Sequence, residues 1–242
     1  MIRIRNLAVP FTERASLEDL AAKRLMLPPQ QIAGVVIVRK AVDARRYHGA
    51  PIQFVYILDA KLEGKVEKKV LQKLRRDRNV EEAPVPQAPA PIPAPHLERR
   101  PVVVGFGPAG MFAALTLARH GCEPLVLERG NDVDTRHEDI ERFWRGGALN
   151  PQSNVQFGEG GAGTFSDGKL TTRINDVHMK DVIEAFVAAG APEEIRYLHK
   201  PHIGTDILRE VVRNIRKEII RLGGTVRFGA QVTDVELAGG RL

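Results

Sequence analysis

Pro101-Val-Val-Val-Gly-Phe-Gly-Pro-Ala-Gly110, continued by Met111 to Gly121 and by Cys122-Glu-Pro-Leu-Val-Leu-Glu-Arg-Gly130, is the stretch on which the fold turns. Val102 to Val104 form a β-branched run without a polar break, as a strand buried on both faces of a parallel sheet requires. A turn follows at once, and Gly105, Gly107 and Gly110 give it the spacing Gly-x-Gly-x-x-Gly. In the Rossmann pattern the first glycine permits the tight turn, the second admits a pyrophosphate, and the third lets helix and strand pack closely. Pro108 suits a first helical turn, where its missing N–H costs nothing. Met111, Ala114, Leu115 and Ala118 then recur at helical spacing, and Gly121 follows the helix. Leu125 to Leu127 read as a second strand, closed by Glu128 with seventeen residues between it and Gly110. That places a carboxylate where the hydroxyls of an adenosine ribose would lie. The glycines alone are weak evidence; strand, glycines, helix, strand and acid together point to a dinucleotide site.

The acid does not separate FAD from NAD. A second segment, Gln156 to Leu170, has glycines at 158, 160, 161, 163 and 168, a loop able to bring many backbone N–H groups against a phosphate or a flavin edge. With Glu128-Arg129-Gly130 and the run Asn150-Pro-Gln-Ser-Asn-Val-Gln-Phe-Gly-Glu-Gly-Gly-Ala-Gly-Thr-Phe-Ser-Asp-Gly-Lys-Leu170, the chain resembles the bacterial FAD-dependent dehydrogenases of the NAD(P)/FAD-dependent oxidoreductase family, a two-dinucleotide-binding flavoprotein class. The resemblance extends over essentially the whole chain, including His202 to Asp206. It implies FAD held at Gly105, Gly107, Pro108, Ala109, Gly110 and Glu128, with Arg129, Gly161, Ala162, Gly163 and Thr164 along the cofactor and a strand near Val232 clamping the adenine. It also implies NAD(P)H as an electron donor. The late Gly-Asp that such families use on the ribityl side does not occur before Leu242, so a further carboxy-terminal part of the same protein is expected. Ser166, Asp167 and Lys169 are the candidates for polar groups near the ring, and equally read as turn and capping residues.

The first part of the chain has a different character. From Met1 to Glu82 there are seventeen Lys and Arg against ten Asp and Glu, whereas the remainder has nineteen against twenty. Ile2 and Ile4 alternate with Arg3 and Arg5 in a half-exposed strand. Ser16 with Asp19 makes a capping box for a helix through Leu17, Leu20, Ala21 and Leu25. Strands are predicted at Gly34 to Lys40, Ile52 to Leu58 and Asn79 to Glu82, with a helix over Lys65 to Arg76. The order β-α-β-β-α-β is the split, ferredoxin-like arrangement. RNA-binding domains share it, but here Arg3 stands where a stacking aromatic would, and Phe54 and Tyr56 lack the glycine context of such motifs. A solvated basic face is the simpler reading, without a nucleic-acid partner.

Ala83 to Pro95 carries six prolines interleaved with alanine and reads as an extended spacer. The expected organisation is therefore a small ferredoxin-like α+β domain over 1–82, a linker over 83–97, and over 98–242 an α/β Rossmann-type FAD-binding domain, incomplete at its end. Beyond Gly130, Asn131 to Trp144 reads as a short helix over the cofactor cleft, with Trp144 as a packing residue. Helices follow over Val177 to Ala189 and from Thr205, as cap, to Leu222, with strands at Thr225 to Phe228 and Val232 to Leu237. His199 and His202 lack companions at ligand spacing, so no metal site is expected. Cys122, the only cysteine, excludes an internal disulfide and a Cys-x-x-Cys redox pair. No apolar run approaches the ~20 residues of a membrane span, and a cytoplasmic setting is expected. The sequence thus reads as an FAD-dependent oxidoreductase of unidentified small-molecule substrate. The alternative is a nucleotide-binding module whose basic first domain engages RNA or a protein partner.

Overall fold

The computed structural model describes residues 1–45, 51–64, 66–85, 97–166, 168–170 and 176–236, a mixed α/β protein. The chain divides into two compact units, Met1–Ala88 with Arg196–Pro201, and Pro89–Ile195 with His202–Leu242.

In the first unit the order is β1 (Ile2–Pro10), α1 (Leu17–Leu25), β2 (Ile32–Asp43), β3 (Gln53–Leu62), α2 (Glu67–Lys73) and β4 (Val80–Glu82). The strands lie in the order β2-β3-β1-β4, each pair of neighbours antiparallel. Alternation along β1 explains its two faces. Ile2 and Ile4 are fully buried with Ala21, Leu25, Leu58 and Val70, while Arg3 and Arg5 emerge opposite and pair with Asp59 and Glu81. The Arg3 pair is bidentate, at 2.7 and 2.8 Å. Ser16 opens α1 by accepting from the Asp19 N–H at 3.0 Å and donating its hydroxyl to the Asp19 carboxylate at 2.7 Å. Tyr56 is buried in this core and Phe54 packs against it. The edge strand β2 gains two backbone bonds the sequence does not announce: Lys40 N–H to the Tyr197 carbonyl, and His199 N–H to that of Lys40.

The second unit holds β5 (Val102–Val104), α3 (Pro108–Arg119), β6 (Leu125–Leu127), α4 (Val133–Trp144), α5 (Met179–Ala188), α6 (Thr205–Arg221) and β7 (Thr225–Arg227). Its sheet runs β5-β6-β7, all parallel, with Val103 opposite Val126 and Val126 opposite Val226. Leu208, Val211, Val212, Ile215 and Ile219 line one face of α6 and are buried with Met111, Ala114, Leu115 and Ala118 of α3. At roughly 1.5–3 kcal/mol for each large apolar side chain fully buried, this helix pair is where the unit concentrates its apolar stabilisation. Among the described residues no helix is long and apolar enough to cross a membrane.

Four sequence expectations are corrected. Val102 and Val104 are 55% and 63% exposed, because α3 lies on the face to which Val103 points and successive strand residues alternate. Residues 231–236 form no strand: Gly229 and Ala230 donate back to the carbonyls of Gly130 and Glu128, which ends the extended run after β7, and Val232 is half-buried in irregular chain. Thr205 is the first residue of α6 and not its cap; Gly204, at φ +86°, stands before it without a side-chain bond. Trp144 packs against little, being 60% exposed at the last position of α4. Leu237 and most of the proline segment, residues 86–96, lie outside the described residues.

An apolar strip on an edge strand invites self-association. The double substitution Val102→Thr, Val104→Thr is expected to raise the monomer fraction in sedimentation velocity with a stability change within about 0.5 kcal/mol, as for exposed positions generally. An unchanged distribution would mean that association, if any, uses another surface.

Candidate functional site

The site is built around the turn that joins β5 to α3. Gly105 has φ +87°, a conformation that a side chain disfavours, and its N–H donates to the Leu127 carbonyl at 2.8 Å. Phe106 is fully buried at the bend. A Cβ on Gly110 would run into the Gly105 carbonyl oxygen and press on the Val103 side chain, so helix and strand cross at a distance that only glycine allows. Gly107 differs: its backbone is extended, and a Cβ there would meet only the Gly161 Cα, at 3.8 Å. The protein itself therefore does not require the second glycine.

Glu128 closes β6 and is buried, at 4% exposure. Its Oε2 accepts from the Phe106 N–H at 2.6 Å and its Oε1 from the Gly130 N–H at 2.8 Å. The carboxylate thus pins the glycine turn to the loop after β6, and each oxygen retains a second lone pair. Arg129 beside it lies over the Phe157 ring at 3.9 Å and donates to Gln152 Oε1 and the Pro151 carbonyl.

The glycine-rich loop comes back against this turn. Gly158, Gly160, Gly161 and Gly168 all have positive φ. The Gly160 N–H donates to the Phe106 carbonyl at 2.8 Å, and a Cβ on Gly161 would stand 3.0 Å from Pro108 Cδ. Gly130 has no room for a side chain either, since its Cβ would lie 2.5 Å from the Gly158 Cα.

The group that holds the loop carries no local signal in the sequence. Arg136, on α4, is fully buried and donates to five backbone carbonyls. Nε reaches Asn154 at 2.8 Å, Nη2 reaches Val155 at 2.9 Å, and Nη1 reaches Glu159 at 2.6, Gly161 at 2.9 and Gly158 at 3.3 Å. Burial pulls its pKa down to about 10, against the support of Glu128 and Glu159, so it remains a cation at neutral pH. Its guanidinium also lies 4.8 Å from the Phe165 ring centroid. Glu159 accepts from the Val133 N–H at 2.6 Å, and its Oε1 forms an ion pair with Arg216 Nε at 2.9 Å. Burial pushes the Glu159 carboxyl above its ordinary value, with Arg216 opposing.

Beside the turn opens a cleft of about 690 Å³, lined among others by Pro108, Ala109, Gly163, Thr164, Ser166 and Lys169, with Asp176 and His178 as further polar residues. Most of its lining is apolar, with Met111, Phe112, Val182, Ile183 and Phe186. Thr164 is 1% exposed, and its hydroxyl has no hydrogen-bond partner among the described residues. Ser166 Oγ donates to the Gly163 carbonyl at 2.7 Å, a turn-closing bond, and Lys169 makes an isolated bridge with His202. The structure so gathers Pro108, Ala109, Gly163, Thr164, Ser166 and Lys169 at one cleft, with Gly105, Gly107, Gly110, Glu128, Gly161 and Ala162 at the adjoining turn and loop. Val232 lines no part of the cleft, and Asp167 lies outside the described residues. His199, with Arg39 Nη2 at 2.6 Å, belongs to the first unit; burial, Arg39 and Lys200 all lower its pKa. Among the described residues no three His, Cys, Asp or Glu side chains gather as metal ligands.

Residues 1–61 match a family described as a domain of unknown function, DUF8436. The whole chain is 44% identical over 243 residues to an uncharacterized protein of Clostridium beijerinckii (strain ATCC 51743 / NCIMB 8052) and spans 45% of that relative's length.

The different surroundings of the two glycines give a direct test. Gly110→Ala is expected to lower stability by about 1–3 kcal/mol or more through overpacking. Gly107→Ala is expected to leave it unchanged or raise it by up to about 1 kcal/mol, through reduced freedom of the unfolded chain. Thermal denaturation of both variants checks the order, and equal losses would contradict the geometry.

Proposed function

We propose that this chain carries the ADP-binding part of an FAD-dependent oxidoreductase, in a Rossmann-type domain. The observation that carries the reading is the buried Glu128 carboxylate at the end of β6, 2.6 Å from the Phe106 N–H of the glycine turn that starts α3. A dinucleotide laid across the carboxyl ends of parallel strands meets a helix start and a strand-end acid in this relation. The second lone pairs of Glu128 suit the two hydroxyls of an adenosine ribose. Gly107, where the fold has no use for a missing side chain, leaves room for a pyrophosphate, and Gly161 to Thr164 face the same place from the loop. The apolar cleft beyond Pro108 and Ala109 is of the size and character that holds a planar ring system away from water.

FAD, when bound, supplies the hydride and electron chemistry; the protein binds, orients and excludes solvent. Ser166 and Lys169, which line the cleft together with Asp176 and His178, are the proposed contacts to a ring or a small-molecule substrate, and NAD(P)H is the proposed electron donor. Because the chain spans less than half of its Clostridium relative, this reading concerns the nucleotide-binding part, and the activity of the longer protein follows from it as a proposal. The alternative, an RNA-binding first domain, draws no support from the aromatics. Tyr56 is buried, and Phe54 is covered by Lys40 Nζ 4.4 Å from its ring centroid, so neither offers a free stacking face.

Isothermal titration of the chain with FAD, ADP and 2′,3′-dideoxy-ADP tests the reading. Binding of FAD and ADP is expected, with the dideoxy compound weaker by about tenfold, the worth of hydrogen bonds to a charged acceptor. Gly107→Ala is expected to weaken FAD binding without loss of stability. Equal affinity for ADP and its dideoxy analogue would remove the role of Glu128, and no binding of any of the three would remove the function.

A further inference from the structure

We infer that Arg136 is the positioning residue for the phosphate-binding side of this site, acting through the backbone of residues 154–161 and through the buried hydroxyl of Thr164; the inference rests on the dinucleotide reading above. A peptide unit has a carbonyl end and an N–H end, and fixing one fixes the other. Arg136 collects the carbonyls of Asn154, Val155, Gly158, Glu159 and Gly161 around one buried guanidinium. The loop then has a single arrangement in which its oxygens face inward to a cation. Gly161 stands against Gly107 and Pro108 at the start of α3, and Ala162 and Gly163, just beyond, are exposed.

Thr164 provides the independent observation. Its side chain is buried, it borders the cleft, and its hydroxyl finds no partner among the described residues. Leaving a buried hydroxyl unbonded is unfavourable, so its retention at this place points to a ligand oxygen as the missing partner. Arg136 reaches that hydroxyl indirectly, since its guanidinium fixes Gly161 on one side of the turn that carries Thr164 and lies against Phe165 on the other. A lysine could not substitute: it has one nitrogen and three donors, whereas the planar fork of Arg136 serves five carbonyls from three nitrogens. The anion this arrangement recognises is a diphosphate esterified to a nucleoside.

The experiment compares ADP with adenosine, which lacks the phosphates, on the full chain. Arg136→Lys is expected to weaken ADP at least tenfold and to leave adenosine within about twofold, because the ribose acceptor Glu128 is untouched. Thr164→Val, which removes the unbonded hydroxyl at constant shape, is expected to keep or raise the melting temperature while weakening ADP about tenfold. A purely structural hydroxyl would not give that opposition of stability and affinity. Should Arg136→Lys fail to fold, Thr164→Val alone decides. Equal weakening of ADP and adenosine by Arg136→Lys, or unchanged ADP affinity in Thr164→Val, would overturn the inference. If the unaltered chain bound neither compound, the dinucleotide reading would fail first and this inference with it, an outcome distinct from binding that the variants do not alter.

Discussion

One buried guanidinium makes the glycine-rich loop part of a folded domain. A loop with four positive-φ glycines loses more conformational entropy on folding than other chain of its length, and its carbonyls, turned inward, would each be costly to leave unbonded. Arg136 answers five of them at once. No apolar replacement can do so, and no other side chain carries enough donors in one plane. The position is therefore fixed by the backbone of another segment and not by the helix on which Arg136 sits.

From that centre the bonds run outward in sequence. The loop it holds donates through Gly160 to the Phe106 carbonyl; Phe106 donates to Glu128; Glu128 also accepts from Gly130, whose carbonyl accepts from Gly229. Three segments distant in the chain are closed against one turn. Each close approach falls at a glycine, at 110, 130 and 158, where a side chain would strike backbone or Arg136 itself. Glu128 consequently has two tasks, pinning the turn and presenting lone pairs. Its replacement by glutamine would set an amide donor against a backbone donor, which makes that substitution a poor probe of the proposed ribose contact alone.

The parts of this arrangement that depend on spacing were legible in the sequence: the glycine turn, the amphipathic face of α6, the acid that ends β6, and the six-element order of the first unit. The parts that depend on tertiary partners were not. Arg136 lies among Asp, His and Glu on a polar helix, where a charge ordinarily faces water, and nothing local marks it as buried. The exposed Val102 and Val104 follow from which face α3 covers, and a β-branched run reads alike whether one face is covered or two. Trp144 differs from its sequence expectation for the same reason, as indole area favours packing only where a neighbour exists. The run from Val232 has strand composition, but Gly229 and Ala230 bond back to Gly130 and Glu128 and take the chain out of line. The pairing of Tyr197 and His199 with Lys40 joins residues too far apart for any periodic signal.

The concentration of charge in this region also bears on how rigid it is. Arg136, Glu128 and Glu159 are all buried, and Arg216 approaches Glu159 from α6. Buried ions generally contribute less to stability than apolar groups of the same volume would. They do make displaced arrangements expensive, since any movement of the loop strands a charge or a carbonyl without a partner. The apolar layer of α3 and α6 has the opposite character: its Leu, Ile, Val and Ala side chains attract without direction and tolerate small shifts. The second unit thus draws its cohesion from one set of residues and the fixed geometry beside its cleft from another, and only the second set must be reproduced atom for atom if a ligand is to find its partners in place.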